Sequence, residues 1–153
     1  MTVHLVRHAK AGSRRAWAGA DELRPLSKRG RRQASALAER LAGEGITRIV
    51  SSPFVRCRDT VVPLAERMHV EVETSDALAE SATLADSLRL LEKFLADDVV
   101  LCTHGDVLGN LLDHFEQHGV VRDTDRMEKA SVWELDVVDG EVRAARYVPP
   151  PPV

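Results

Sequence analysis

The opening segment, residues 3–12 (VHLVRHAKAG), constrains the fold more than any other part of this sequence. An apolar run that is bounded by polar residues and followed by a glycine predicts a short buried strand, which ends at Arg7 and His8. Open α/β sheets bind their ligands beyond the carboxyl ends of their strands. Arg7 offers a permanently charged fork for an oxyanion, and His8 can act as a nucleophile or proton carrier near neutral pH. The pair therefore indicates phosphate chemistry.

Strands and helices alternate along the rest of the chain. Further strands are predicted at residues 46–50, 70–73 and 98–103, and the last is apolar enough to lie at the centre of a sheet. Residues 132–138 and 142–147 flank an Asp-Gly pair, which predicts a closing hairpin. We therefore predict an α/β fold, a three-layer α/β/α sandwich around a mostly parallel sheet with a C-terminal antiparallel hairpin. Residues 1–148 are predicted to form one domain, and residues 149–153 a proline-rich tail.

Helical periodicity occurs between the predicted strands. Ser27 and Thr83 are the predicted N-caps of two amphipathic helices, and residues 107–115 form another. Pro63 lies inside a further periodic segment, and it is predicted to break that segment near Val62 into two short helices.

Composition narrows the functional classes. A net charge of -3 argues against a protein that binds a nucleic-acid polymer or a membrane surface. Cys57 and Cys102 have no metal-like spacing and are predicted to be buried thiols in a reducing compartment. No signal peptide or membrane-length apolar run is recognised, so a cytoplasmic protein is expected. Six basic residues lie in the first quarter of the chain: Arg14, Arg15, Lys28, Arg29, Arg31 and Arg32. They are interpreted either as a solvated helix face or as a positive rim that attracts anions.

Four segments in this order, LVRHAKAG, SSPFVRCRDT, ALAES and LCTHGD, resemble the histidine phosphatase superfamily, also called the phosphoglycerate mutase-like family. The resemblance runs from Val3 to about Leu135. It implies that His8 is the nucleophile that becomes phosphorylated and that Glu80 is the proton donor. It also implies that three residues hold the phosphoryl group: Arg7, Arg56 and His104. It implies no metal ion or other cofactor.

The chemistry of these residue types agrees with that family. Attack by His8 needs a neutral ring with one free nitrogen, so the other N–H must be held, commonly by a backbone carbonyl. Two arginines and a second histidine neutralise the oxygens of the transferring group. Glu80 can protonate the leaving oxygen and then activate water.

The sequence departs from the family at one position, because Ala9 replaces the glycine of the usual RHG triplet. This change also occurs in the small branch of the family, and it is expected to tighten the backbone near the phosphate. In the basic loop that follows, Lys10, Ser13 and Arg14 are candidate substrate-binding residues.

Two substrate classes are predicted. The short chain and the RHA block look like the SixA-type phosphohistidine phosphatases, which favours a phosphorylated protein. The KAGS and PLSKRGRRQA segments are also similar to the phosphatase domain fused to Nudix hydrolases in actinobacterial MutT-type proteins, which implies a nucleotide or another small phosphorylated metabolite. An open, shallow pocket favours phosphoprotein, whereas an apolar slot beside the basic loop, formed with Trp17, favours a nucleotide.

A different class of function also fits the pattern. A module could keep the phosphate pocket and bind a phosphoprotein or nucleotide without turnover, although the presence of His8 favours the enzyme. Mutase activity is the least favoured, because transfer back to a bound acceptor needs a closed pocket. The protein is expected to be a monomer or a weak dimer.

Overall fold

The computed structural model describes residues 1–153 and contains six strands and four α-helices. The strands are β1 (Thr2–Arg7), β2 (Arg48–Ser51), β3 (Val72–Thr74), β4 (Val99–Thr103), β5 (Val132–Val138) and β6 (Glu141–Val148). The helices are α1 (Lys28–Leu41), α2 (Val55–Met68), α3 (Leu84–Glu92) and α4 (Gly105–Gln117). Two short 3-10 turns, Asp21–Leu23 and Asp76–Leu78, lie in the connections. No helix is long and apolar enough to cross a membrane.

The six strands form one sheet in the order β3-β2-β4-β1-β5-β6. The first four pair in parallel, β5 runs antiparallel to β1, and β6 runs antiparallel to β5. The turn between β5 and β6 has positive φ angles at Asp139 (52°) and Gly140 (74°), as expected for a tight hairpin turn. The predicted mostly parallel sheet and its C-terminal hairpin are therefore confirmed.

Helices cover both faces of this sheet. On one face α3 and α4 pack against inward side chains such as Leu5, Leu101 and Trp133. On the other face α1 and α2 pack against Ile49 and Cys102. Each face has its own buried apolar cluster, because side chains alternate between the faces along every strand. This arrangement is the predicted three-layer sandwich.

The parallel strands bring the candidate residues to one edge. All residues of β4 are buried, as predicted for a central strand, and β4 lies between β1 and β2. Arg7 pairs in register with Thr103, and Ser51 pairs with Cys102. Because parallel strands end on the same side of the sheet, His8 emerges beside the residues that follow β2 and β4.

Hydroxyl caps begin two of the helices, as predicted. Ser27 accepts a hydrogen bond from the N–H of Gly30, and Thr83 accepts one from the N–H of Asp86. The start of α1 also packs tightly on the loop after β1. A Cβ atom at Gly30 would lie 1.9 Å from the carbonyl oxygen of Lys10, so only glycine fits at that point.

The predicted break at Pro63 is wrong, because α2 continues through it as one helix to Met68. A proline inside a helix removes one backbone hydrogen bond and costs about 3 kcal/mol. The residues around it, Val61, Leu64 and Ala65, are buried against α1 and the sheet. Burial of each large apolar side chain contributes about 1.5–3 kcal/mol, which offsets the cost of the proline.

Candidate active site

A polar cleft of about 490 Å³ lies beyond the carboxyl ends of β1 and β4. It brings together six of the predicted site residues: Arg7, His8, Arg14, Arg56, Glu80 and His104. Six further residues complete its lining: Arg24, Ser81, Gly105, Asp106, Met127 and Lys129. Met127 is the one apolar side chain among the twelve, so the cleft is suited to an anion and offers no apolar slot.

His8 lies at the base of this cleft, with 6% of its surface exposed. Its Nδ1 lies 2.8 Å from the carbonyl oxygen of Ala9, to which an Nδ1–H donates. Burial lowers the pKa of His8 to about 3, and the charges of His104, Arg56 and Arg7 act in the same direction. The ring is therefore neutral at physiological pH, and its Nε2 retains a lone pair. This is the state that a nucleophilic histidine requires.

A hydrogen bond to α2 holds the main chain directly after His8. The N–H of Ala9 donates to the hydroxyl of Thr60 (2.9 Å), which in turn donates to the carbonyl of Arg56 (2.7 Å). Ala9 is fully buried at this contact. The backbone next to His8 is thus hydrogen-bonded to the same turn of helix that carries Arg56.

Arg7 lies across the start of α4. Its Nη1 donates to the carbonyl of Met127 at 2.6 Å. A Cβ atom at Gly105 would lie 2.9 Å from the central carbon of the Arg7 guanidinium, so the absent side chain of Gly105 makes room for this arginine. Burial lowers the pKa of Arg7, and the carboxylate of Asp106 opposes that effect.

The second histidine, His104, is the residue directly before α4, and its ring lies close to that of His8. Its ring centroid lies 5.4 Å from that of His8. The hydroxyl of Ser52 accepts a hydrogen bond from the N–H of Phe54 (3.2 Å) and lies 2.8 Å from Nε2 of His104. Sγ of Cys57 lies 3.5 Å from the same nitrogen. When the Ser52 hydroxyl donates its proton to Nε2, the ring proton of His104 lies on Nδ1. Nδ1 is buried and has no protein partner.

Arg56 is 1% exposed, and two carboxylates hold its guanidinium. Its Nη2 lies 3.1 Å from Asp21 and 3.4 Å from Glu80, and its Nη1 donates to the carbonyl of Asp21 at 2.9 Å. The ring of Phe54 lies 5.0 Å from the guanidinium carbon. A charge buried so deeply is stable only when it is paired and hydrogen-bonded, as it is here.

Glu80 lies at the rim, in a loop that is attached to α4. Its two carboxylate oxygens face Arg14 (3.5 Å) and Arg56 (3.4 Å). The next residue, Ser81, has a positive φ of 70° and donates its N–H to the side chain of Asp106 at 2.8 Å. Asp106 thereby fixes the loop that presents Glu80.

Two charged residues, one beside the cleft and one in its lining, were not found by sequence reasoning. Asp21 binds Arg24 and Arg56 at once. Although desolvation opposes the change, hydrogen bonds from Arg24 and Arg56 lower the pKa of Asp21. The one signal for it was the unusual length of the loop from Gly12 to Pro25. Lys129, in the connection before β5, had no sequence signal.

Three predicted contacts lie outside the lining of the cleft. Lys10 and Ser13 are exposed, and the Ser13 hydroxyl accepts a hydrogen bond from the N–H of Ala16 within its own turn. The indole of Trp17 donates to the carbonyl of Ala20, and Trp17 is not among the residues that line the cleft.

The basic residues at the start of α1 lie outside the cleft. Lys28, Arg29, Arg31 and Arg32 are exposed on that helix. Lys28, Arg31 and Arg32 line an open groove of about 910 Å³ between α1 and α2. None of the predicted catalytic residues lines this groove. Both cysteines are buried and free, as predicted. The structure contains no cluster of three or more side chains suited to a metal ion.

Comparison with known sequences identifies related proteins. The sequence matches the family model described as the histidine phosphatase superfamily (branch 1) over residues 3–86. It is 36% identical over 156 residues to the 8-oxo-(d)GTP phosphatase of Mycolicibacterium smegmatis. That alignment covers 98% of this chain and 48% of the relative, so the chain spans about half the relative's length.

Solved structures show a similar fold. The protein histidine phosphatase SixA complexed with tungstate superposes with a TM-score of 0.77, at 20% identity, over 97% of this chain and 94% of that one. A mycobacterial glucosyl-3-phosphoglycerate phosphatase complexed with VO3 has a TM-score of 0.75, at 20% identity, over 95% and 96% of the two chains. At these identities the similarity concerns the fold.

Proposed function

Because the chain belongs to the histidine phosphatase superfamily, we propose that it hydrolyses phosphate monoesters or phosphoramidates through a phosphohistidine at His8. The observation that carries this proposal is the neutral, oriented ring of His8, whose Nδ1–H donates to Ala9 and whose Nε2 is free. In the first step Nε2 forms a bond to phosphorus, and the bond from phosphorus to the leaving group breaks. In the second step water attacks the phosphohistidine and releases inorganic phosphate.

Arg7, Arg56 and His104 are proposed to bind the oxygens of the transferring phosphoryl group. Each of them keeps one buried nitrogen without a protein partner: Nε of Arg7, Nε of Arg56 and Nδ1 of His104. A buried donor that is left unsatisfied costs about 1–3 kcal/mol. An oxyanion that accepts these hydrogen bonds removes that cost, and the charge that develops in the transition state is stabilised by groups already in place.

Glu80 is proposed to protonate the leaving oxygen and then to accept a proton from the attacking water. It lines the same cleft as His8 and is 37% exposed, so it lies where a leaving group departs towards solvent. Glu80→Gln is expected to slow hydrolysis of an alkyl phosphate by about 10²-fold or more. An aryl phosphate, whose leaving group needs little protonation, is expected to lose much less. Equal losses on both substrates would contradict the role.

Two substrate classes are proposed, each on its own observation. The polar cleft without an apolar slot favours a phosphorylated protein histidine, since such a site accepts a polar side chain that projects from a surface. The 36% identity to an 8-oxo-(d)GTP phosphatase favours a nucleotide. Neither class requires a further cofactor in the two steps described.

The central experiment is hydrolysis of an aryl phosphate with a chelator present, by wild type, His8→Asn and the control His69→Asn. Asparagine at position 8 can still donate to the Ala9 carbonyl but cannot attack phosphorus, whereas His69 is an exposed residue at the end of α2. We expect turnover in wild type and the control, none in His8→Asn, and an acid-labile label on His8 from radioactive substrate.

Turnover by His8→Asn at the wild-type rate would refute the mechanism. A wild type that binds inorganic phosphate and hydrolyses no substrate would instead support a binding module. A panel of phosphohistidine peptides and nucleotides then separates the two substrate classes by kcat/KM.

A further inference from the structure

Lys129 is a cation of the cleft that has no role in the proposed reaction and forms no ion pair with a carboxylate. The three arginines Arg14, Arg24 and Arg56 share the carboxylates of Asp21 and Glu80. Arg7 donates to a backbone carbonyl, with a carboxylate nearby.

Lys129 lies among other cations. Burial and the neighbouring charges of Arg7, Arg24, Lys10 and Arg56 lower the pKa of Lys129. Like charges gathered in this way repel one another, and the repulsion is relieved when an anion enters between them. A phosphoryl group that binds Arg7 and Arg56 uses two of these cations, and Lys129 is a further positive charge in the same cleft.

The backbone fixes Lys129 beside the nucleophile. The N–H of Ala130 is shared between the carbonyls of Arg7 and His8 (3.1 and 3.2 Å), and the N–H of Arg7 donates to the carbonyl of Ser131. Ala130 has a positive φ of 67°, a conformation that turns the chain sharply at this point. Lys129 therefore projects from a segment attached to the catalytic strand, and it lines the same cleft as His8.

We propose that Lys129 binds a second phosphate of the substrate, adjacent to the phosphoryl group that is transferred to His8. This inference rests on the proposed function and specifies its substrate class as a compound with a terminal diphosphate. A lysine ammonium is a compact point charge suited to phosphate oxygens. Recognition then depends on the phosphate chain, which agrees with a cleft that has one apolar lining residue and no aromatic slot.

The reaction consumes one water molecule and no other reactant. Nε2 of His8 bonds to the terminal phosphorus, the bond from that phosphorus to the bridging oxygen breaks, and the electron pair stays on that oxygen. The penultimate phosphate departs as an anion held by Lys129, so this step needs no proton. Water then cleaves the N–P bond, the electron pair returns to Nε2, and the proton of water passes through Glu80 to solvent.

The test compares ADP with AMP as substrates for wild type, Lys129→Gln, Lys129→Arg and the control Lys28→Gln, by release of inorganic phosphate. Lys28 undergoes the same change of charge on the surface of α1, outside the cleft. Loss of one charge-assisted hydrogen bond is worth about tenfold or more, so Lys129→Gln should lower the ratio of kcat/KM for ADP over AMP by that factor. Lys129→Arg should restore most of the ratio, and Lys28→Gln should leave it at the wild-type value.

An equal loss on ADP and AMP in Lys129→Gln, or no loss on either, would overturn the role of Lys129. In either case the hydrolysis of AMP and its dependence on His8 would still stand. If wild type hydrolyses neither substrate and His8→Asn retains its aryl phosphatase activity, the proposed function itself fails.

Discussion

The neutral state of His8 makes the stability of the protein dependent on pH. The pKa of His8 is about 3 in the folded protein, whereas an unperturbed histidine titrates near pH 6.5. The unfolded chain therefore binds a proton that the folded protein does not, and stability falls as the pH decreases below 6.5 towards 3. Between pH 7 and pH 4.5 this one group lowers the free energy of unfolding by about 2.5 kcal/mol. His4, whose pKa burial also lowers, changes stability in the same direction.

Urea unfolding of wild type and His8→Asn at pH 7, 6, 5 and 4.5 isolates the contribution of His8. All other titrating groups are common to the two proteins, so the difference between their pH dependences reports on this ring alone. We expect wild type to lose about 2.5 kcal/mol more than His8→Asn over this range, with equal denaturant m-values in the two proteins. Equal losses, within about 0.5 kcal/mol, would show that folded His8 binds a proton in this range and would refute the reasoning.

Two further substitutions test the packing of the site and of α2. Gly105→Ala places a methyl group against the guanidinium of Arg7, so we expect kcat/KM to fall by about 10²-fold while thermal unfolding changes little. If Gly105→Ala has the kcat/KM of wild type, Arg7 moves away from the added methyl group without loss of activity, which would contradict this prediction. Pro63→Ala removes a proline from the interior of α2, and we expect the free energy of unfolding to rise by about 1 kcal/mol or more, measured by urea unfolding. A decrease would mean that the proline ring contributes more through packing than it costs.

The residues that sequence reasoning placed correctly lie at the ends of regular elements. His8 and His104 follow strands whose apolar patterns are clear, and parallel strands necessarily end at the same edge of a sheet. Arg56 lies in the first turn of the helix after β2, so its position follows from the same topology. The error at Pro63 has a different origin, because local backbone preference predicted a break that tertiary burial prevents.

The charge balance of the cleft was beyond prediction because it depends on irregular segments. Asp21 lies in the loop after β1 and Lys129 in the connection before β5, more than a hundred residues apart in the chain. Their positions are set by contacts that no periodicity encodes, such as the hydrogen bonds of Ala130 to the end of β1. Asp21 partly neutralises Arg56 before substrate arrives, whereas Lys129 is left unneutralised. The positions of the residues proposed to hold the transferring phosphoryl group thus follow from the topology of the sheet, while the proposed preference for what is attached to that group depends on the loops.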